Sequence, residues 1–392
     1  MKIAIAPNAF KGSLTATQAA DCIERGIGKA LPDCITVKIP MADGGDGTVL
    51  AIVDATGGRQ VKCSVSDPRG RKIRSAFGLT GDGRTAVIEM ALASGLALLK
   101  PGERNPLLTS TRGTGELIRA ALDLGVKEIL IGIGGSATND GGMGMARALG
   151  VRFLDARNRE LDDNGGALTE LACIDLSALD GRLKGVTVDV ACDVNNPLFG
   201  PRGAARVYSP QKGATPAMVE QLDKGLRRLA SVIKKDLGVE VAKLPGAGAA
   251  GGLGAGLVAF LGGRMRPGAE LVTRVVGLEG KLAGCDLVIT GEGRLDGQTA
   301  FGKAPAGVAK VAKQLGIPVI AICGSLSADA DNVRTIGIEA FFSALEEPVP
   351  EADLPKRGPG MLERCSEQVG RLLAMNVKRR KVCEANKRAK IK

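Results

Sequence analysis

The chain has 392 residues, 44% of them apolar, 24% charged and 2% aromatic, with 56 glycines, a formal charge of +11 and no histidine. That much apolar material supports a core larger than one ordinary domain, while the missing histidine excludes histidine-ligated zinc and histidine-dependent triads. Acid–base or metal chemistry therefore falls to carboxylates, lysines, arginines and backbone amides.

In chain order, residues 2–6 predict a short strand. The helix after it starts with Thr15 and Gln18 in capping-box spacing, shows Ala20, Ile23, Ile27 and Ala30 at helical period, and is stopped by Pro32. Residues 36–40 predict a second strand, which leads through the loop MADGGDGT into a helix ending at Gly57. Alternating runs at 61–66, 71–79 and 84–90, punctuated by DPRG and GDG, predict an antiparallel meander. A helix over 114–124 ends at Gly125; then EILIGI predicts a strand feeding the loop GGSATNDGGMG and a helix to Leu149. Helical pattern covers 216–236 and 252–261. The last third alternates again: strand 286–290, helix 304–315, strand PVIAIC, strand AFFSAL and a closing helix near 360–376. Both chain ends read as parallel βα units and the middle opens with hairpins. The expected architecture is a discontinuous α/β domain, residues 1–64 plus 281–376, with a second α/β domain, 65–280, inserted in it.

Residues 378–392 carry eight Lys or Arg against Glu384 alone, so most of the charge excess sits in a basic tail, 377–392, expected to be disordered. Such a tail can hold nucleic acid through phosphate contacts. The near absence of aromatics argues against single-strand binding, which relies on stacking. The nine cysteines lie singly, several inside apolar runs, as small buried hydrophobes of a reducing cytosol. The first residues hold too short an apolar run for a signal peptide. The uncharged span 246–263 is eight-eighteenths glycine, which weakens membrane insertion. A cytoplasmic protein with no membrane segment is expected.

Four loops carry candidate chemistry. ADGGDG places Asp43 and Asp46 three apart after a strand, a pair suited to a hard cation such as Mg²⁺ and also to an ordinary turn. GIGGSATNDGGMG follows a strand; its opening fits GxGxxA, and Asp155 lies at about the spacing of a ribose-binding acid, which supports a nicotinamide oxidoreductase. Against that, Asn139, Asp140 and the doublet Gly141-Gly142 interrupt the helix that should follow, and the loop reads as an anion-binding turn of backbone amides near a helix start, with Asp140 as metal ligand or base. GAGAAGGLGAG, 246–256, lets a backbone approach phosphate or another backbone. Finally, an apolar strand empties into TGEGRLDGQTAFGK, with Glu292, Arg294, Asp296 and Lys303. GQTAFGKA nearly matches a Walker loop, but Ala304 lacks the hydroxyl that would ligate Mg²⁺. Asp189, a carboxylate on the otherwise apolar run VTVDVAC, needs a partner or a purpose.

Taken together, FKGSLTA, MADGGDGT, TSTRGTGELI, GIGGSATNDGGMG, CDVNNPLFG, PQKGA, GAGAAGGLGAG and TGEGRLDGQT with GK resemble, in this order, the bacterial glycerate kinase family from Met1 to about residue 376. The resemblance implies ATP- and Mg²⁺-dependent phosphorylation of D-glycerate at the 2-hydroxyl, giving 2-phosphoglycerate. It also implies two α/β domains, one flavodoxin-like and built from both chain ends, with the active site in a cleft between them. Two features depart from the family: Asn8-Ala9 stands where Asp-Ser is common, with Lys11 retained, and the basic tail is extra.

On that resemblance, backbone amides at Gly134, Gly135, Ser136 and Asn139, or at Gly251 and Gly252, are expected to cradle ATP phosphates. Asp43, Asp46, Asp140, Asp193 and Glu292 form the pool for Mg²⁺ and for orienting the hydroxyl. Lys11, Arg294 and Lys303 face phosphate or the glycerate carboxylate, and Asp296 is the expected base. The expected partners are glycerate and a nucleotide; a homo-oligomer is left open. The oxidoreductase resting on GIGGSA and Asp155, and a nucleic-acid-associated protein resting on the tail, are the competing readings.

Overall fold

A computed structural model describes the backbone of residues 1–300 and 302–389, and side chains within that range as far as residue 375. The chain packs as two compact units, one formed by Met1–Asp43 with Val272–Lys392, the other by Gly44–Leu271. The first division falls at 43/44 rather than near 64, because the helix Thr48–Thr56 and the strand Arg59–Ser66 pack with the second unit's sheet; the second falls at 271/272 rather than near 281.

The first unit holds a five-stranded sheet in the order Ile338–Ser343, Val319–Cys323, Leu287–Gly291, Lys2–Pro7, Ile35–Lys38. Every pair is parallel. Counted along this unit the order is 5-4-3-1-2, the flavodoxin-like arrangement, and the direction of winding reverses between Lys2–Pro7 and Leu287–Gly291. Strand alternation sends Ile3, Ile5, Leu287 and Ile289 into a cluster with Ile23, Ile27, Leu362 and Val369. The helix Ala16–Ala30 begins with both halves of the predicted Thr15–Gln18 capping box. It packs closely on the final helix at Gly26, where a Cβ would stand 2.3 Å from the Glu363 carbonyl oxygen. That final helix spans Leu354–Ala389, longer than the pattern near 360–376 indicated. Its backbone crosses most of the segment expected to be a disordered tail, and the basic side chains there lie outside the described residues.

The second unit holds a six-stranded mixed sheet in the order Arg264–Arg266, Thr187–Ala191, Glu128–Gly132, Thr85–Glu89, Lys72–Leu79, Arg59–Ser66. The first four strands are parallel and the last two continue as the predicted antiparallel meander. Leu117, Ile118, Ile129, Ile131, Leu226 and Leu253 belong to its core, which also includes the T-shaped pair Phe153–Phe260. Among the described residues no helix is long and apolar enough to cross a membrane.

Candidate functional site

In an open parallel sheet, ligands bind beyond the carboxyl ends of the strands where the winding reverses. In the first unit that place lies past Pro7 and Gly291, which are register partners. Gly291 is required there, since a Cβ would stand 1.9 Å from the Ile322 carbonyl oxygen. The next residue, Glu292, is buried, and its Oε1 accepts from the Thr299 hydroxyl at 2.6 Å. Burial pushes its carboxyl up to about 7; Thr299 and Lys303 restrain the rise, while the Asp296 and Asp43 charges add to it.

Lys303 joins this group, its Nζ 3.0 Å from Asp296 Oδ1 and 4.0 Å from Glu292 Oε2. Asp296 Oδ1 also accepts from the backbone N–H of Gln298 and Thr299, at 3.0 and 3.1 Å. Burial opposes these contacts, but Lys303 and the N–H donors hold the Asp296 carboxyl below its usual range. A carboxyl held low is a weaker base than one raised toward the working pH. Arg294 and Lys11 are exposed in the two loops leaving the strands, and the Lys11 backbone passes close to Gly293. Asn8 donates from Nδ2 to Asp43 Oδ2 at 3.1 Å, which a second aspartate in its place could not do.

A second polar group lies at the carboxyl edge of the other unit's parallel strands. The loop 44–47 folds over this edge: a Cβ at Gly44 would stand 2.6 Å from the Ala191 Cβ, and one at Gly132 would stand 2.3 Å from the Gly44 carbonyl oxygen. The helix Thr48–Thr56 has no side-chain cap of its own. Glu89, at the end of the neighbouring strand, accepts from Gly47 N and Val49 N at 3.2 and 2.7 Å instead. Asp46 is exposed next to the exposed Gly134 and Gly135, and a Cβ at Gly135 would stand 3.7 Å from its Oδ1. Asp193, also exposed, accepts from Gly268 N at 3.0 Å. Asp189 finds its partner in Arg266, 3.5 Å away across the strand pair that sequence reading did not identify.

Behind this edge the two remaining glycine-rich loops meet. Gly141 N donates to the Gly251 carbonyl oxygen at 3.0 Å. Ala250, Gly251 and Gly252 take left-handed conformations in succession, with φ of 53°, 69° and 90°. A Cβ at Gly251 would stand 2.0 Å from the Thr138 carbonyl oxygen. Gly251 and Gly252 are buried, so of the two uses expected for this loop the structure supports backbone packing, not a face turned to phosphate. Gly251→Ala is expected to destabilise the chain by about 2–4 kcal/mol, since both its φ and the Thr138 contact forbid a side chain. An unchanged denaturation midpoint would contradict this.

Asp140, expected among metal ligands, is fully buried and serves instead as a cap. Its Oδ2 accepts from Thr111 N, Thr111 Oγ1 and Gly144 N at 2.8, 2.7 and 3.1 Å, and its Oδ1 from Gly142 N at 3.2 Å. Burial pushes its carboxyl up and these four donors restrain the rise. Asn139 is likewise buried; neither its Oδ1 nor its Nδ2 meets a protein partner among the described residues. Lys212, of the PQKGA segment, is buried beside this loop and donates to Ser136 Oγ at 2.7 Å and to the Thr138 carbonyl oxygen at 2.6 Å. Burial lowers its ammonium to about 7, against the pull of Asp140. Sequence reading gave Glu89, Thr299 and Lys212 no site role; for Glu89 and Lys212 nothing local marks a residue that works on a segment tens of positions away, while Thr299 lies only seven residues past the Glu292 that it binds.

The dinucleotide reading fails on two counts. The strand Arg152–Leu154 that follows the loop pairs antiparallel with Cys173–Asp175 in a separate two-stranded sheet, not beside Glu128–Gly132, so it does not complete a βαβ unit with that strand. Asp155 closes its own turn, accepting from Arg157 N, Arg159 N and Arg159 Nε.

A sequence model of the Glycerate kinase family matches residues 3–374. The chain is 51% identical to the "Glycerate kinase" of Bacillus subtilis (strain 168) over 369 residues, 94% of this chain and 97% of that one. It is 52% identical to the "Glycerate 2-kinase" of Escherichia coli (strain K12) over 345 residues, 88% and 91% of the two chains. Among solved structures, the "Crystal structure of putative glycerate kinase 2 from Salmonella typhimurium LT2" matches with a TM-score of 0.88 and 49% identity, covering 97% of this chain and 99% of that one.

Proposed function

The chain belongs to the glycerate kinase family, and from that premise we propose that it transfers the γ-phosphoryl group of ATP to the 2-hydroxyl of D-glycerate, releasing 2-phosphoglycerate and ADP. The position of transfer follows the relative named for the 2-hydroxyl. The observation that carries the reading is the group Glu292, Thr299, Asp296 and Lys303 at the winding reversal of the parallel sheet. Phosphoryl transfer asks a protein chiefly to position its reactants and to neutralise charge on the transferred group.

In this reading Arg294 and Lys11 bind the glycerate carboxylate, Arg294 through its planar fork. Glu292, with its carboxyl raised to about 7, accepts the proton of the substrate hydroxyl. Asp296 holds Lys303 in place rather than acting as base, and Lys303 meets the charge developing on the transferred phosphoryl oxygens. Backbone N–H groups at the turn Gly134–Gly135–Ser136, whose two glycines are exposed, take the nucleotide phosphates.

Among the described residues no group of three or more acidic or cysteine side chains converges as a metal cage. With nucleotides, Mg²⁺ takes one or two carboxylates plus phosphate and water oxygens. Asp46 and Asp193, exposed at one sheet edge, are the carboxylates we assign to it; when bound, Mg²⁺ would offset charge on the β- and γ-phosphates. Asp46→Asn and Asp193→Asn are each expected to raise the Mg²⁺ concentration for half-maximal activity about 10-fold or more, the range for losing a ligand-shell group. Wild-type Mg²⁺ curves would release them from that role.

The eight described cysteines are all unpaired, which supports a cytoplasmic location. The decisive experiment is coupled detection of ADP with D- and L-glycerate, followed by proton-coupled phosphorus NMR of the product. Phosphate on the 2-hydroxyl splits to a doublet and on the 3-hydroxyl to a triplet. No glycerate-dependent ADP would overturn the function, and a triplet the position.

A further inference from the structure

Lys212 has no surface to act on directly, yet both groups it holds belong to the turn that we assign to the nucleotide phosphates. When Lys212 is protonated it has three donors and no acceptor, so in its 2.7 Å contact with Ser136 the serine oxygen then accepts. The single hydroxyl hydrogen of Ser136 must then point elsewhere. Among the described residues it meets no protein acceptor, and Ser136, 8% exposed, follows directly on the exposed Gly134 and Gly135. The second contact, 2.6 Å to the Thr138 carbonyl oxygen, pins the turn two residues further on. Gly251 packs against that same carbonyl.

We propose that Lys212 is a positioning residue of the nucleotide site, acting through Ser136: the buried cation holds the Ser136 hydroxyl as an outward donor and polarises it toward an anionic phosphate oxygen. A hydrogen bond whose donor is polarised by a buried cation is stronger than a neutral one, and the low-dielectric surroundings favour the alignment. Lys212 thus lends charge to a ligand that it never touches. The inference rests on the kinase reading and on the phosphates lying at the Gly134–Ser136 turn.

The test is a double-mutant cycle read by calorimetric titration of ATP with Mg²⁺ present. Lys212→Met and Ser136→Ala are each expected to weaken ATP binding by about 10-fold or more, the loss of one charge-assisted hydrogen bond. The double variant is expected to be no weaker than either single one, because both remove the same interaction. Ser136→Thr, which keeps a hydroxyl, should retain ATP affinity, and the KM for glycerate should move less than about 2-fold in all variants. Additive losses, or a glycerate KM that rises with the ATP constant, would mean that Lys212 merely supports the fold. Should Lys212→Met fail to fold, Ser136→Ala against Ser136→Thr decides: equal ATP affinity in the two overturns the proposal. If the wild-type chain itself binds no ATP, the kinase reading fails first. If it binds ATP and Ser136→Ala changes nothing, only the relay fails.

Discussion

Glu292→Gln is expected to lower kcat about 10²-fold or more while the protein stays folded, the range for losing a general base. The glutamine oxygen can still accept from the Thr299 hydroxyl, so the local frame survives the change. What is lost is a carboxylate that can take a proton. The pH profile gives the independent readout. With Glu292 raised to about 7, wild-type kcat/KM should climb as pH rises toward 7 and then level, whereas Glu292→Gln should lack that limb. Stability should move the opposite way. A carboxyl whose folded pKa is raised stabilises the fold below its unfolded value and loses that contribution as pH rises through about 7. The glutamine variant, free of the charge, should therefore be at least as stable as wild type at pH 8. Near-wild-type turnover, or an unchanged acid limb, would pass the role of base to another group.

Asp140→Asn is expected to do the reverse, costing about 3 kcal/mol or more of stability and leaving the Mg²⁺ requirement of the folded fraction unchanged. An amide in place of the carboxylate turns an NH₂ group toward some of the four donors around it, and a buried donor that loses its acceptor carries a penalty of about 1–3 kcal/mol. The Thr111 hydroxyl would suffer twice, because its oxygen also accepts from Met145 N and so ties the loop to the helix Met143–Ala148. Denaturation midpoints and Mg²⁺ titrations of the same preparations separate the two roles. Normal stability with a shifted Mg²⁺ curve would restore Asp140 to the metal ligands.

The contrast between these two acids shows where sequence reading stops. Glu292 drew notice, among possible metal ligands, because an apolar strand ends there and polar residues crowd the turn; its burial and raised carboxyl were not legible. Asp140 sits in an equally polar turn, GGSATND, yet its oxygens are consumed by Thr111, 29 residues upstream, and by the turn's own amides. The same uncertainty left the stretch 246–256 equally open to phosphate and to packing. The contact with Thr138, more than a hundred residues away, favoured packing.

The linear pattern by itself determined the elements whose signals are local: the Thr15–Gln18 cap, the strand and helix periods, the meander, and the absence of histidine chemistry. A helix start or a strand's alternation is written within a few residues and is nearly independent of context. Only the tertiary structure decided the strand order 5-4-3-1-2, the switch of Thr85–Glu89 from antiparallel to parallel pairing, and the sorting of acids into exposed, capped and raised. Those outcomes depend on which distant groups exclude water from a carboxylate or donate to it, and that is a property of neighbours in space.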